Sequence, residues 1–212
     1  MIYEEVPEQN AIRQGDIFVG IPKINISFAK GLDVVTDQAK SQHRPWEEII
    51  NRNEDITVTL GITLVSAIVI SQDCDATRAR DITFCEIKNL SEIFAPVEKK
   101  SFANQINDVI IEESHKSPKW FYLPPHSKTS IDGKMAVDFF STIRVPRLDL
   151  EQFKSQRIAR LKEVAYEHFR ERLSHFYHRY AWNEWYPLDK EEIKSYKHFA
   201  KLKPEDFYDW QK

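Results

Sequence analysis

The spacing of apolar residues changes character along this chain, and the changes mark out three stretches. The first has strand character. Ile12–Pro22 holds a turn at Gly15-Asp16 that opens into a short strand expected to stop at Pro22. Ile56–Ser71 is rich in Ile, Val and Thr, and its almost unbroken apolar run from Leu64 to Ile70 predicts a strand buried on both faces. Asp81–Lys88 alternates at period two, as a half-buried strand does. Trp120–Leu123, ended by Pro124-Pro125, and Ala136–Phe140 supply two further strands. Between the first two strands lies a polar insert, residues 23–55, containing His43-Arg44-Pro45-Trp46. A structureless connection of that length is expected to be either functional or mobile. Phe102–Glu113 has the pattern of a short amphipathic helix.

The last stretch has helical spacing. From Asp149, an N-cap candidate, Ile158, Leu161, Ala165, Phe169, Leu173, Phe176 and Tyr180 step by three or four residues, and Pro187 ends the pattern. A second helix is expected from Asp189, with Glu191 and Glu192 favourable in its first turn. Phe207, Tyr208 and Trp210 offer apolar surface for docking back on the body. The predicted architecture is α+β: a β-rich, barrel-like antiparallel domain over residues 1–147, and a C-terminal helical hairpin over residues 148–212 packed on it.

Composition narrows the classes of function. A 212-residue chain that is 42% hydrophobic and 30% charged, with five glycines and ten prolines, can bury a core. Wholesale disorder, a collagen-like repeat and a disulfide scaffold are thereby excluded. A net charge of -3 argues against a general polyanion binder. The acidic start, Met1–Val6, lacks the features of a secretory signal, and the run from Leu64 to Ile70 falls far short of the ~20 residues that span a bilayer. A cytoplasmic chain with no membrane association is expected. Cys74 and Cys85 are the only cysteines, too few for a cysteine-based structural zinc site. Cys85, beside Phe84 and Ile87, is expected in the core, and no cofactor is expected.

One motif stands out. Val69-Ile70-Ser71-Gln72-Asp73-Cys74-Asp75 runs from the apolar strand straight into a polar cluster. Two carboxylates flanking a thiol disfavour the thiolate unless a cation lies close, and Arg44, Arg78, Arg80 or a histidine can supply one. Cys74 acting as a nucleophile needs a base, with His43, His115 and His126 as candidates. Asp73 and Asp75 converging in a turn make an oxygen-rich metal site. The plain alternative is that both aspartates cap turn backbone while Cys74 packs inward.

Gly15-Asp16-Ile17 opening one strand, and Val69-Ile70-Ser71 closing the next, resemble the first two strands of MazF/PemK-type toxins. The resemblance covers about the first two-fifths of the chain. It implies an SH3-like barrel and metal-free RNA cleavage, with Ser71 at the position of the family's catalytic hydroxyl. The family's Arg-Pro pair before the second strand is replaced here by Val65-Ser66, and the only Arg-Pro pair, Arg44-Pro45, lies far upstream. The Ser71–Asp75 signature, Leu123-Pro124-Pro125, Val137-Asp138-Phe139 and the Arg/His-rich helix also resemble a group of uncharacterised bacterial proteins. This second resemblance implies a bacterial or mobile-element origin.

In the helical stretch, His168, Arg172, His175 and Arg179 are spaced four, three and four apart and form one basic stripe. Basic side chains beside aromatic ones can hold phosphate and stack on bases. Glu163, Glu167 and Glu171 dilute that field, and a solvated helix face explains the stripe equally well. Arg170 and His175 also match the loose Arg-x4-His pattern of HEPN ribonucleases. Trp182, Trp185 and Tyr186 suit packing or a partner surface.

The leading expectation is therefore a non-catalytic binding or interaction component of a bacterial plasmid, toxin or phage-defence system. Its partner would be another protein or a second copy of the chain, with RNA as a further candidate ligand. Candidate binding residues are Arg44, Arg78, His168, Arg172, His175 and Arg179. The catalytic alternatives are a ribonuclease using Ser71 with a displaced arginine, Arg44 or Arg78, and an enzyme dependent on Cys74. Ser71, Asp73, Cys74 and Asp75 are the candidate catalytic residues.

Overall fold

The computed structural model describes residues 2–35, 40–51, 55–94, 104, 109, 118–127, 129 and 131–178. The helix expected over Phe102–Glu113 falls almost wholly outside them. So do His115, Arg179, Trp182, Trp185, Tyr186 and the helix expected from Asp189. The chain divides into two compact units, residues 1–176 and 177–212, and the sheets and cores belong to the first.

The elements in chain order are β1 (Tyr3–Glu4), β2 (Asp16–Ile24), β3 (Leu32–Val35), β4 (Ser41–Arg44), α1 (Trp46–Ile50), β5 (Val58–Thr59), β6 (Ile62–Val69), α2 (Asp73–Arg78), β7 (Asp81–Asn89) and α3 (Leu90–Ile93). They continue with β8 (Trp120–Leu123), β9 (Met135–Pro146), α4 (Arg147–Gln152), β10 (Arg157–Leu161) and α5 (Glu163–His178). Seven strands form one antiparallel sheet in the order β1-β10-β2-β6-β7-β9-β8. The fold is α+β, as expected. The sheet is not closed into a barrel: its edges are β1 and β8, and no ladder joins them among the described residues. They approach at one end, where the Tyr3 hydroxyl donates to the Pro124 carbonyl at 2.8 Å.

Helix α5 packs against one face of the sheet. Phe169, Leu173 and Phe176, at steps of four and three, share a core with Ile17, Ile68, Cys85, Ile87, Phe139 and Leu161. Phe169 packs between Phe121, edge to face, and Phe139, with ring centroids 5.2 and 5.9 Å away. The opposite face carries a second core of Ile12, Phe18, Ala67, Val69, Ile82 and Phe84. Residues 67–70 at the end of β6 therefore alternate between two buried faces, whereas Leu64 at the start of the apolar run is exposed, so the strand expected to be buried on both faces from Leu64 is so only from Ala67.

Several sequence expectations change. The insert at 23–55 is not structureless: β3 pairs with β4, and with β5 beyond the insert, in a small three-stranded sheet. Strand β2 runs two residues past Pro22. β10 covers β2 only as far as Phe18, so beyond that point one side of β2 is open and Pro22 can face it without costing a ladder bond. The long helix expected from Asp149 is broken into α4, a 3-10 turn at Lys154–Gln156, β10 and α5. Ile158 and Leu161 lie on a strand in which Arg157, Ala159 and Leu161 point inward.

What holds β10 in the sheet is a buried charge cluster. Asp16, with no exposed surface, accepts from Arg157 Nη1 at 2.9 Å and from Arg160 Nε and Nη2. The Arg157 guanidinium also donates to the carbonyls of Pro7, Asn10 and Ala11 at 2.7–3.1 Å. The Arg13 N–H closes the loop onto Asp16 Oδ2 at 3.0 Å. Two guanidinium groups and a backbone donor compensate the carboxylate, and removal of its charge leaves buried cations unpaired. Asp16→Asn is expected to lower stability by about 3 kcal/mol, read as a shift in the urea midpoint with an unchanged slope. A change below about 0.5 kcal/mol shows that the cluster does not hold the fold.

Candidate functional site

Strand β6 ends at Val69, and Ser71-Gln72 leads into the six-residue helix α2, which carries Asp73, Cys74 and Asp75. Ser71 Oγ accepts the Thr83 N–H at 2.8 Å and so ties the turn to β7. Asp73 is the knot of the segment. Its Oδ2 accepts from Arg13 Nη2 at 2.7 Å and from the Tyr166 hydroxyl at 3.3 Å, and its Oδ1 accepts the Gln14 N–H at 2.9 Å. Burial alone would raise the Asp73 carboxyl, but the Arg13 guanidinium, the Gln14 N–H and the Tyr166 hydroxyl outweigh it and hold the group below the usual carboxylate range.

Gly15 sits under this knot with φ at 85°, a left-handed backbone that disfavours other residues. A Cβ there would lie 3.1 Å from the Tyr166 ring. The glycine therefore lets Tyr166 reach over the chain to Asp73.

The other candidate residues are dispersed. Cys74 is exposed, and its sulfur contacts Gln72 Oε1 at 3.9 Å; among the described residues no base reaches it. Asp75 faces Arg78 within α2 at 3.6 Å, so the two aspartates do not converge. Arg44 lies on the small sheet, bonded to Gln42 at 2.7 Å and near Glu48 at 3.5 Å. His43 pairs with Asp33 at 3.0 Å, and His126 packs on the Tyr3 ring at 5.4 Å. Among the described residues no group of three or more His, Cys, Asp and Glu side chains is placed to hold a metal ion.

Two residues of the basic stripe do meet in one place. A groove of about 860 Å³ opens between β1, β8 and the first turns of α5. Half-buried Phe121 and Tyr122, with buried Trp120 behind them, form one wall, Ile2 and Glu4 the other, and Lys162, Glu163, His168 and Arg172 line the α5 side. Arg172 Nε donates to the Trp120 carbonyl at 3.2 Å. His175 is absent from this lining and faces Glu171 at 3.8 Å on the exposed side of α5. A second hollow, about 580 Å³, adjoins the groove at His168 and reaches Arg13, Gln14 and Tyr166 beside the Asp73 knot.

Trp120–Tyr122 was expected as a strand and not as part of a site. Its role depends on α5 lying alongside β8, a tertiary fact without a local sequence signature. The apolar spacing of α5 and the neighbouring His168/Arg172 stripe were the available signals. No protein-family model matches this chain, and no curated protein does. Among the described residues no helix is long and apolar enough to cross a membrane.

Two measurements check this geometry. Asp73, with a lowered folded-state value, contributes stability that is fully present above the ordinary carboxylate value and is lost as pH falls through the folded one. Asp73→Asn is therefore expected to cost about 1 kcal/mol at pH 7, with the gap closing in urea titrations below about pH 4; a gap independent of pH contradicts the ion pair. The Cys85 thiol is pushed up to about 12 by burial and then by the Asp138 charge. Iodoacetamide should label Cys74 alone in the native protein and both thiols in denaturant. Native labelling of Cys85 would show an open core.

Proposed function

We propose that this chain is a non-catalytic binding component, taking a macromolecular partner in the groove between β1, β8 and α5. The observation that carries this reading is the meeting of half-buried Phe121 and Tyr122 with the charged groups Glu4, Lys162, Glu163, His168 and Arg172 in a single groove. Aromatic side chains with a few convergent polar groups are the usual chemistry of a recognition surface. Two groups of the acidic thiol motif, Ser71 and Asp73, are meanwhile engaged in holding the backbone of Thr83 and Gln14. Neither Arg44 nor Arg78 hydrogen-bonds Ser71, which weighs against the ribonuclease reading. The bacterial plasmid, toxin or phage-defence setting rests on the MazF/PemK resemblance of Gly15-Asp16-Ile17 and Val69-Ile70-Ser71, and is analogy.

The test compares variants of the full chain. His168→Ala with Arg172→Ala is expected to reduce partner capture from a bacterial lysate at least about tenfold, while Ser71→Ala and Cys74→Ser leave it unchanged. Incubation with mixed RNA, with and without divalent metal, should give no cleavage. Cleavage abolished by Ser71→Ala establishes the ribonuclease alternative, and a Cys74-dependent turnover establishes the other.

A further inference from the structure

We propose that two copies of this chain pair through the outer half of the β2–β6 ribbon, apolar face against apolar face about a twofold axis. Register sets the face. Pro22 lies opposite Leu64 and Ile24 opposite Ile62, and residues two apart on a strand share a side, so all four side chains stand together. All four are exposed, Ile24 by 54%, Ile62 by 60% and Leu64 by 68%, and neither core includes any of them. The opposite face of the ribbon is occupied. Ile21 and Val65 pack with the second core, and Lys23 Nζ donates to Glu86 Oε2 at 2.7 Å. The alternation that turns Ile21 and Val65 inward therefore turns four apolar residues outward, where a strand pair facing water carries polar ones.

This apolar surface continues at the base of the ribbon. Pro22 and Leu64 also border a hollow of about 370 Å³, with Gly20, Leu150 and Phe153 among its other walls. Ile24 and Ile62 form a ridge one inward-outward repeat, roughly 7 Å, further along the strands. A ridge and a hollow side by side are self-complementary, because a twofold axis seats each copy's ridge in the other's hollow.

Charge and area favour a second copy as the occupant. A charged face repels its own copy across a twofold axis. Within residues 19–26 and 60–66 the only charged residue is Lys23, which is turned to the other face and paired there. The hollow itself carries one cation, Arg144, which is paired with Asp81, and one anion, Asp149. A charged partner finds nothing to select it, whereas a second copy meets no repulsion. The open surface of Pro22, Ile24, Ile62, Leu64 and Phe153 comes to roughly 500 Å², the apolar share of an interface that buries about 800 Å² on each partner.

Sedimentation of the full chain between about 1 and 100 μM tests the pairing. The wild type is expected to reach twice the chain mass within that range. Ile62→Lys puts a cation on the ridge and Leu64→Asp an anion in the hollow; each alone should weaken self-association at least about 100-fold. Mixed one to one, the two variants should associate again, since their heterodimer keeps one native ridge-and-hollow contact and gains an ion pair at the other. A wild type that stays monomeric overturns the proposal. So does a dimer indifferent to both substitutions, or a mixture that does not associate while both variants are folded by circular dichroism. If either variant fails to fold, hydrogen exchange of the wild type decides: exchange that speeds up on dilution at residues 19–26 and 60–66 supports the pairing, and exchange there that is independent of concentration overturns it. The groove beside α5 takes no part in this contact, so either result leaves the binding proposal to its own test.

Discussion

The fold turns on one buried carboxylate. Asp16 opens β2 at the point where the N-terminal loop, β10 and the central strands converge, and Arg157 and Arg160 reach it from β10. A charge with no solvent exposure is tolerated only when donors surround it. That requirement places β10 beside β2 instead of leaving it in a helix. It also gathers the loop carbonyls of residues 7–11 around Arg157. The loop then delivers Arg13 and Gln14 to Asp73, and Asp73 in turn engages Tyr166 on α5. The acidic thiol motif is the second link in this chain of polar contacts, joining the end of β6 to the N-terminal loop and to the helix.

A similar arrangement supports the far side of the sheet. The β7–β9 register jumps from Cys85↔Thr142 to Glu86↔Asp138, so Phe139–Ser141 bulge from β9. Asp138 holds the bulge by accepting from the Phe140 N–H at 3.1 Å and from Lys88 Nζ at 2.6 Å. Burial would lower Lys88, but Asp138 and Glu86 more than offset this and keep it raised and charged. Its bond to Ser141 Oγ at 2.8 Å therefore comes from a cation that positions the hydroxyl and does not act as a base.

Elements whose burial is set locally were legible in the sequence. Trp120–Leu123 and Asp81–Lys88 have the strand pattern, and both are strands. The apolar spacing of Phe169, Leu173 and Phe176 marked the buried face of α5. Strand β10 was obscured because Ile158 and Leu161 fit the helical stripe continuing into α5 as well as they fit a strand. An arginine is ordinarily read as surface, and the partner that buries Arg157 lies 141 residues away. The motif at Ser71–Asp75 was visible as a polar cluster, but its structural use depends on Arg13, Gln14 and Tyr166, none of them nearby in sequence. The groove was half visible: His168 and Arg172 were identified, while the aromatic wall facing them depended on which sheet edge α5 lies against.

The outer half of the β2–β6 hairpin behaves differently from the rest. Past Phe18 it loses β10 as a neighbour, Gly20 kinks it with φ at 70°, and Ile24, Ile62 and Leu64 remain more than half exposed. Few buried side chains anchor this ribbon, so opening it sacrifices little of either core. The ribbon and the small β3–β5 sheet it leads into form a unit of low local stability. Such a unit can fray, accept insertions or diverge in sequence while the Asp16-centred body stays folded.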